Sequence, residues 1–108
     1  RLTAVLRLAE RYTSAVVLKG VGSLIAGPPG GERPLALCSD GNPGMAVAGM
    51  GDVLSGLAGA LLAQGLDVGD AGRYAVLVHA LAGDQAAQAG QRGVLASDLI
   101  EPIRQLLN

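Results

Sequence analysis

Aromatic side chains are almost missing from this chain: 108 residues hold Tyr12 and Tyr74 but no phenylalanine or tryptophan. A core without large rings must be built from Leu, Val, Ile and Ala, packed closely with help from 17 glycines. The shortage also removes the aromatic platforms that alternate with Arg or Lys on nucleic-acid surfaces. A net charge of −1 supplies no field to draw nucleic acid or an anionic membrane, so neither is expected as a partner. Cys38 is the only cysteine, which excludes an internal disulfide and a cysteine metal cluster. A reducing compartment, and so a cytoplasmic location, is the expectation. Apolar stretches are broken by Gly, Asp or Gln before they reach spanning length, and no signal-peptide pattern is recognisable. The length suits one domain at most. The chain starts at Arg1 with residues that already read as helix, as expected of a piece of a longer or processed polypeptide.

What is present reads as an α/β order. Leu2, Val5, Leu6 and Ala9 share one face of a helix over 2–12, with Arg7, Glu10 and Arg11 outside. The continuous apolar run Ala15-Val16-Val17-Leu18 predicts a buried strand of a parallel sheet. Residues 23–26 and 35–38 predict two further strands, paired as a hairpin across a Gly/Pro turn at 27–31. Val53, Leu54, Leu57 and Leu61 mark a helix stopping at Gly65, and its Gly56, Gly59 and Ala60 would admit a close neighbour. A helix over about 70–89 turns Tyr74, Leu77, Val78 and Leu81 inward. A last helix begins near Ser97, capped by Ser97 or Asp98, with Pro102 in its first turn. One buried-type strand needs parallel neighbours that the chain does not supply, so half of an α/β sandwich is expected.

The chemistry concentrates in Gly41-Asn42-Pro43-Gly44-Met45-Ala46-Val47-Ala48-Gly49-Met50-Gly51-Asp52, which runs straight into the helix beginning Val53-Leu54-Ser55. Glycine lets backbone pass close to an anion, and the unpaired N–H groups of a helix start point at it. Asp52 would repel a merely bound anion; it suits a base beside a transferring phosphoryl group. The plainer alternative is a turn whose Asp is favoured by the helix dipole. A Walker-type loop is excluded, since no Gly-Lys-Ser/Thr follows, and the Gly-x-Gly-x-x-Gly spacing of a dinucleotide fold is absent. Lys19-Gly20-Val21-Gly22-Ser23 closes the first strand, where open α/β sheets bind ligands; a tight turn with a solvated lysine fits the spacing equally well. His79 reads as a partly buried histidine bonded to a neighbour, and Asp84 as a structural cap or helix–helix bond. Cys38 reads as a small core residue.

The glycine loop, with Lys19–Ser23, Leu62-Ala63-Gln64-Gly65, His79-Ala80-Leu81-Ala82-Gly83-Asp84 and Gly93-Val94-Leu95-Ala96-Ser97-Asp98-Leu99-Ile100, resembles the NAD(P)H-hydrate dehydratases. These are a branch of the ribokinase-like superfamily often described as carbohydrate kinases. The resemblance covers essentially the whole chain and implies a ribokinase-like three-layer sandwich. Residues 1–108 would be the C-terminal portion of one such domain, since the family enzyme is considerably longer. It implies a lyase for nicotinamide nucleotide repair: ADP- or ATP-dependent dehydration of (6S)-NADHX or NADPHX, with Mg2+. Carried over, Asp52 is the base toward the substrate hydroxyl, and Gly51 with Lys19, Gly20, Val21, Gly22 and Ser23 contacts the adenine nucleotide. The backbone of Ala48, Gly49, Met50 and Gly51 cradles the phosphoryl group beside Asp52. No carboxylate cluster identifies metal ligands. Val47 stands where the family usually has Thr, Ala48 where it has Gly, and Ser23 where it has Thr. The resemblance leaves room for a homo-oligomer and for a fused upstream epimerase domain. A small-molecule kinase, or a nucleotide-binding fragment with no activity of its own, are the rival readings.

Overall fold

A computed structural model describes residues 1–20, 22–31 and 35–108. Its elements are α1 (Leu2–Tyr12), β1 (Val16–Leu18), β2 (Ser23–Ala26), β3 (Leu35–Cys38), α2 (Met50–Ala63), α3 (Val68–Ala86) and α4 (Ile100–Leu106). Short 3-10 turns occupy Pro43–Met45, Ala87–Ala89 and Ala96–Leu99. The expected order of helix, strand, hairpin and three helices is therefore present. Among the described residues no helix is long and apolar enough to cross a membrane.

The sheet order is β1-β2-β3, with Leu24 of β2 opposite both Leu18 and Leu37. Alternation along β2 divides its side chains between two helix layers. Ala26 and Leu24 pack with Val5 and Ala9 of α1, while Ile25 packs with Val76 and Ala80 of α3. The result is three layers: α1, the sheet, then α2 with α3. A third cluster, Leu57 and Leu61 against Ala71, Ala75 and Val78, joins α2 to α3, and Ile103 of α4 leans on it.

The structure corrects several expectations from the sequence. Among the described residues strand β1 has one neighbour, β2, to which it pairs antiparallel. Its apolar run correctly signals cover on both faces, with Val16 and Leu18 toward α1 and Val17 toward α3, but periodicity carries no information about direction. On α3, Tyr74, Leu77 and Leu81 are exposed and only Val78 of the four points inward. The inward face is made of small residues instead, including Gly69, Ala71, Gly72, Ala75, Ala82 and Gly83. Close approach likewise occurs at glycines of α3 and not at Gly56 or Gly59 of α2. Gly56 and Gly59 have open space where a Cβ would stand, whereas a Cβ on Gly72 would lie 3.3 Å from Ile25 Cγ2. On α1, Val5 and Ala9 are buried but Leu2 and Leu6 are exposed at the margins of the narrow sheet.

The helix ends explain themselves locally. Gly65 has φ 101°, its N–H donates to Leu62 O at 3.0 Å, and Leu66 N–H donates to Leu61 O at 3.3 Å. This double closure with a left-handed glycine is the stop expected for α2. The carboxylate of Asp67 accepts from Asp70 N–H at 2.9 Å to start α3. Asp98 rather than Ser97 performs the cap before α4, accepting from Leu95 N–H at 2.8 Å. Pro102 is third in α4, where no intrahelical N–H is needed.

Helix α1 closes the same way as α2, but around Thr13 at φ 49°, ψ 51°. A β-branched side chain in the left-handed region is strained by about 1–2 kcal/mol. Thr13→Gly should therefore raise stability by about 0.5–1 kcal/mol once glycine's greater unfolded-state freedom is subtracted. That is a rise of a few degrees in Tm by calorimetry, whereas Thr13→Ala, which keeps the strain, should give none.

Candidate functional site

The glycine loop is laid down in two halves. In the first, the side chain of Asn42 caps the 3-10 turn by accepting from Gly44 N–H at 3.0 Å. Gly44 has no room for a side chain: a Cβ would lie 2.6 Å from the carbonyl oxygen of Gln91, in the turn before Val94. In the second half Gly49, at φ 91°, forms the N-cap of α2. That backbone is natural to glycine, and a Cβ there would also stand 3.1 Å from the methyl of Ala96.

Helix α2 consequently begins at Met50, three residues earlier than the apolar periodicity indicated, and Gly51 and Asp52 lie in its first turn. Met50 N–H donates to Val47 O at 3.5 Å, whereas by helix geometry the N–H groups of Gly51 and Asp52 have no carbonyl four residues back within the helix. They present the positive end of a 14-residue dipole. Asp52 is solvent-exposed, and among the described residues its carboxylate has no hydrogen-bond or ion-pair partner. The Met50 side chain is buried against Ala82, Val94 and Leu99, and its backbone N–H is the one engaged by Val47 O.

Lys19 arrives from the sheet. A Cβ built on Gly51 would lie 2.7 Å from Lys19 Nζ, which places the ammonium directly against the first turn of α2. Lysine and helix start thus add their positive potentials at one place. Both border a cleft of about 240 Å³, whose lining includes Ser55 as well as Val17, Leu54 and Val76. A larger hollow of about 640 Å³ lies between the turn after β2 and the first turns of α3, lined by Pro28, Asp67, Arg73 and Tyr74 among others. None of the expected site residues lines it. The smaller cleft is the better candidate because the Lys19 cation and the start of α2 converge on it, with Asp52 next to Gly51 in that first turn.

Gly20, Gly22 and Ser23 are engaged with each other and with Arg1. The Ser23 hydroxyl donates to Gly20 O at 3.2 Å, and Arg1 Nη1 donates to Gly22 O at 3.0 Å. The one hydroxyl proton of Ser23 is therefore committed to bracing the turn. Val21, also expected at the site, lies outside the described residues.

Two residues of α3 contribute more than their sequence suggested. His79 is buried, and its Nε2 lies 3.0 Å from Met50 O. A carbonyl only accepts, so Nε2 carries the hydrogen and donates. Its pKa is lowered from 6.5, chiefly by burial and also by the Lys19 charge, against the raising effect of the bond to Met50. Asp84 is neither a cap nor a helix–helix link: Oδ2 accepts from Gly41 N–H at 3.1 Å and Oδ1 from Asn42 Nδ2 at 2.8 Å. Their spacing of five was the available signal. It turns the helix by about 140° beyond one full revolution, so the two side chains reach different parts of one loop.

The geometry has close counterparts. The family model for NAD(P)H-hydrate dehydratase, of carbohydrate-kinase type, matches residues 1–105. The bifunctional NAD(P)H-hydrate repair enzyme of Vibrio cholerae is 47% identical over 109 residues, covering 100% of this chain and 21% of that protein. The ADP-dependent (S)-NAD(P)H-hydrate dehydratase of Neisseria meningitidis is 36% identical over 110 residues, covering 100% of this chain and 36% of that protein. A crystal structure of the Bacillus subtilis ADP/ATP-dependent NAD(P)H-hydrate dehydratase, with ATP/Mg2+ and CoA, superposes with TM-score 0.86 at 25% identity. The match spans 97% of this chain and 38% of that one. This chain therefore spans between about a fifth and two fifths of the proteins it matches.

Two measurements check the site's electrostatics. Unfolded His79 takes up a proton near pH 6.5, whereas the folded imidazole resists it until lower pH. The unfolded state then binds more protons, so the His79 contribution is complete above 6.5 and is lost as pH falls toward the folded value. His79 is the single histidine of the chain, so in urea melts the midpoint should drop below pH 6.5, and His79→Phe should flatten that limb. Gly51→Ala should push aside the flexible end of Lys19, leave the melting temperature nearly unchanged, and weaken binding of inorganic phosphate or ADP by roughly tenfold, about 1.4 kcal/mol.

Proposed function

Because the chain belongs to the NAD(P)H-hydrate dehydratase family, we propose that residues 1–108 are the C-terminal portion of its ribokinase-like domain. The whole polypeptide dehydrates (6S)-NADHX and NADPHX to NADH and NADPH with ADP or ATP as the phosphoryl donor. The single observation that carries this reading is the exposed Asp52 in the first turn of α2, with Lys19 Nζ packed against Gly51 beside it.

The substrate's ring hydroxyl is a poor leaving group. Asp52 takes the hydroxyl proton while the oxygen attacks the terminal phosphorus of the nucleotide, displacing the shortened nucleotide. The backbone N–H groups from Ala48 to Gly51, together with the dipole of α2, stabilise the charge on the transferring group. Lys19 balances the phosphates, and the turn from Gly20 through Val21 and Gly22 supplies backbone to the nucleotide, with Ser23 holding that turn closed. The phosphorylated oxygen then leaves as phosphate, pushed by the lone pair of the ring nitrogen. Loss of a proton from the neighbouring ring carbon restores the dihydronicotinamide.

The resemblance calls for Mg2+. Among the described residues no three His, Cys, Asp or Glu side chains come together to cage a cation. Cytoplasmic location, a homo-oligomeric assembly and a fused upstream epimerase domain complete the proposal.

The test uses the intact polypeptide with ADP and the NADH hydrate, following the absorbance of the reduced nicotinamide. Asp52→Asn should lower kcat by roughly a hundred- to ten-thousandfold while leaving ADP affinity within a few-fold. Undiminished turnover would remove Asp52 as the base. Accumulation of a stable phosphorylated alcohol without NADH would instead identify a small-molecule kinase.

A further inference from the structure

We propose that His79 and Asp84 are positioning residues: from one helix they hold both ends of the Gly41–Asp52 loop, so the anion-binding end of α2 is set before any ligand arrives. The activity arm of this inference rests on the function proposed above; its structural arm does not.

The loop makes its fixed contacts at three places on α3. At its start, the Asp84 carboxylate accepts from Gly41 N–H at 3.1 Å and from Asn42 Nδ2 at 2.8 Å. The same Asn42 amide caps the 3-10 turn through Gly44 N–H at 3.0 Å, so the carboxylate fixes the residue that shapes the turn. In the middle, a Cβ on Gly83 would overlap Met45 Sδ; glycine is what lets the loop sit down on the helix. At its end, His79 donates from Nε2 to the carbonyl of Met50, the first residue of α2, at 3.0 Å.

These contacts differ from ordinary packing in what they specify. Charge-assisted bonds to a carboxylate are stronger and more directional than neutral ones. The histidine is buried, so its bond competes little with water. Neither side chain borders the cleft beside Lys19, so neither touches the reacting atoms. Their effect passes through the loop. Stabilisation of a developing charge works best when the donors are fixed in advance, and a displacement of about 1 Å can cost on the order of a hundredfold in rate.

The experiment combines hydrogen exchange of the amides at 41–52, without ligand, with steady-state kinetics on the hydrate, both in the intact polypeptide. Asp84→Ala should speed exchange at 41–45, and His79→Leu should speed it at 49–52. Each should lower kcat by roughly ten- to a hundredfold with a much smaller change in KM for ADP. Asp84→Asn keeps an acceptor oxygen and His79→Gln keeps an N–H donor at similar reach, so each should recover most of the loss. Gln85→Ala, a neighbour on α3 outside this network, should change neither readout. Unaltered exchange in Asp84→Ala and in His79→Leu would overturn the inference. So would Asn and Gln variants as impaired as Ala and Leu at native melting temperature. If His79→Leu fails to fold, the folded His79→Gln decides that end of the loop by the same two readouts. If the unmodified polypeptide turns over no hydrate, the proposed function fails, and exchange alone still decides whether α3 sets the loop.

Discussion

Gly72 and Gly83 let other parts of the molecule meet the backbone of α3, Ile25 from the sheet at the first and Met45 from the glycine loop at the second. Half of the remaining buried positions of that helix are alanine, and α2 packs on Ala71, Ala75 and Val78 through Leu57 and Leu61. A chain with two tyrosines and no larger aromatic ring cannot fill wide gaps between layers, so it keeps the layers close. Close layers leave little room for error. A side chain added at Gly72 would press on Ile25 of the sheet, and one at Gly83 would have to displace the Met45 side chain of the loop.

The site brings three sources of potential together. The dipole of α2 and the Lys19 ammonium are both positive, and the Asp52 carboxylate beside them is negative. A site meant only to hold an anion would gain from a second cation at position 52. A site meant to move a proton next to an anion needs a base there, kept open to solvent and unpaired by its neighbours. His79 belongs to the supporting structure. With its pKa lowered by burial and by Lys19, it remains a neutral donor to Met50 and adds no charge to the balance.

Much of this was legible in the residues. The hairpin, the Gly65 stop and the importance of the 41–52 loop follow from turn chemistry and glycine placement, which are local properties. The direction of β1 was not legible, because a short run covered on both faces looks the same in either orientation. The inward face of α3 was misread because size was taken as the guide. The large residues Tyr74, Leu77 and Leu81 are exposed, and beside Val76, Val78 and His79 the burial belongs to glycines and alanines that no hydrophobicity pattern marks as special. At the site, sequence order brings Gly51 and Asp52 together by itself. The approach of Lys19, 32 positions earlier, and the grip of Asp84 on Asn42 are tertiary facts that local pattern does not carry.

Lys19 rides on the end of β1, while Gly51 and Asp52 ride on α2, which is tied to α3. The candidate anion site thus spans the seam between the sheet layer and the helix layer, and its width is set by how those layers seat at Gly72 and Ile25. A core substitution at this seam would act as a tuning screw on a binding gap several residues away. Selection on ligand affinity therefore reaches into the apolar interior, and part of the core's composition records the dimensions of what is held at the surface.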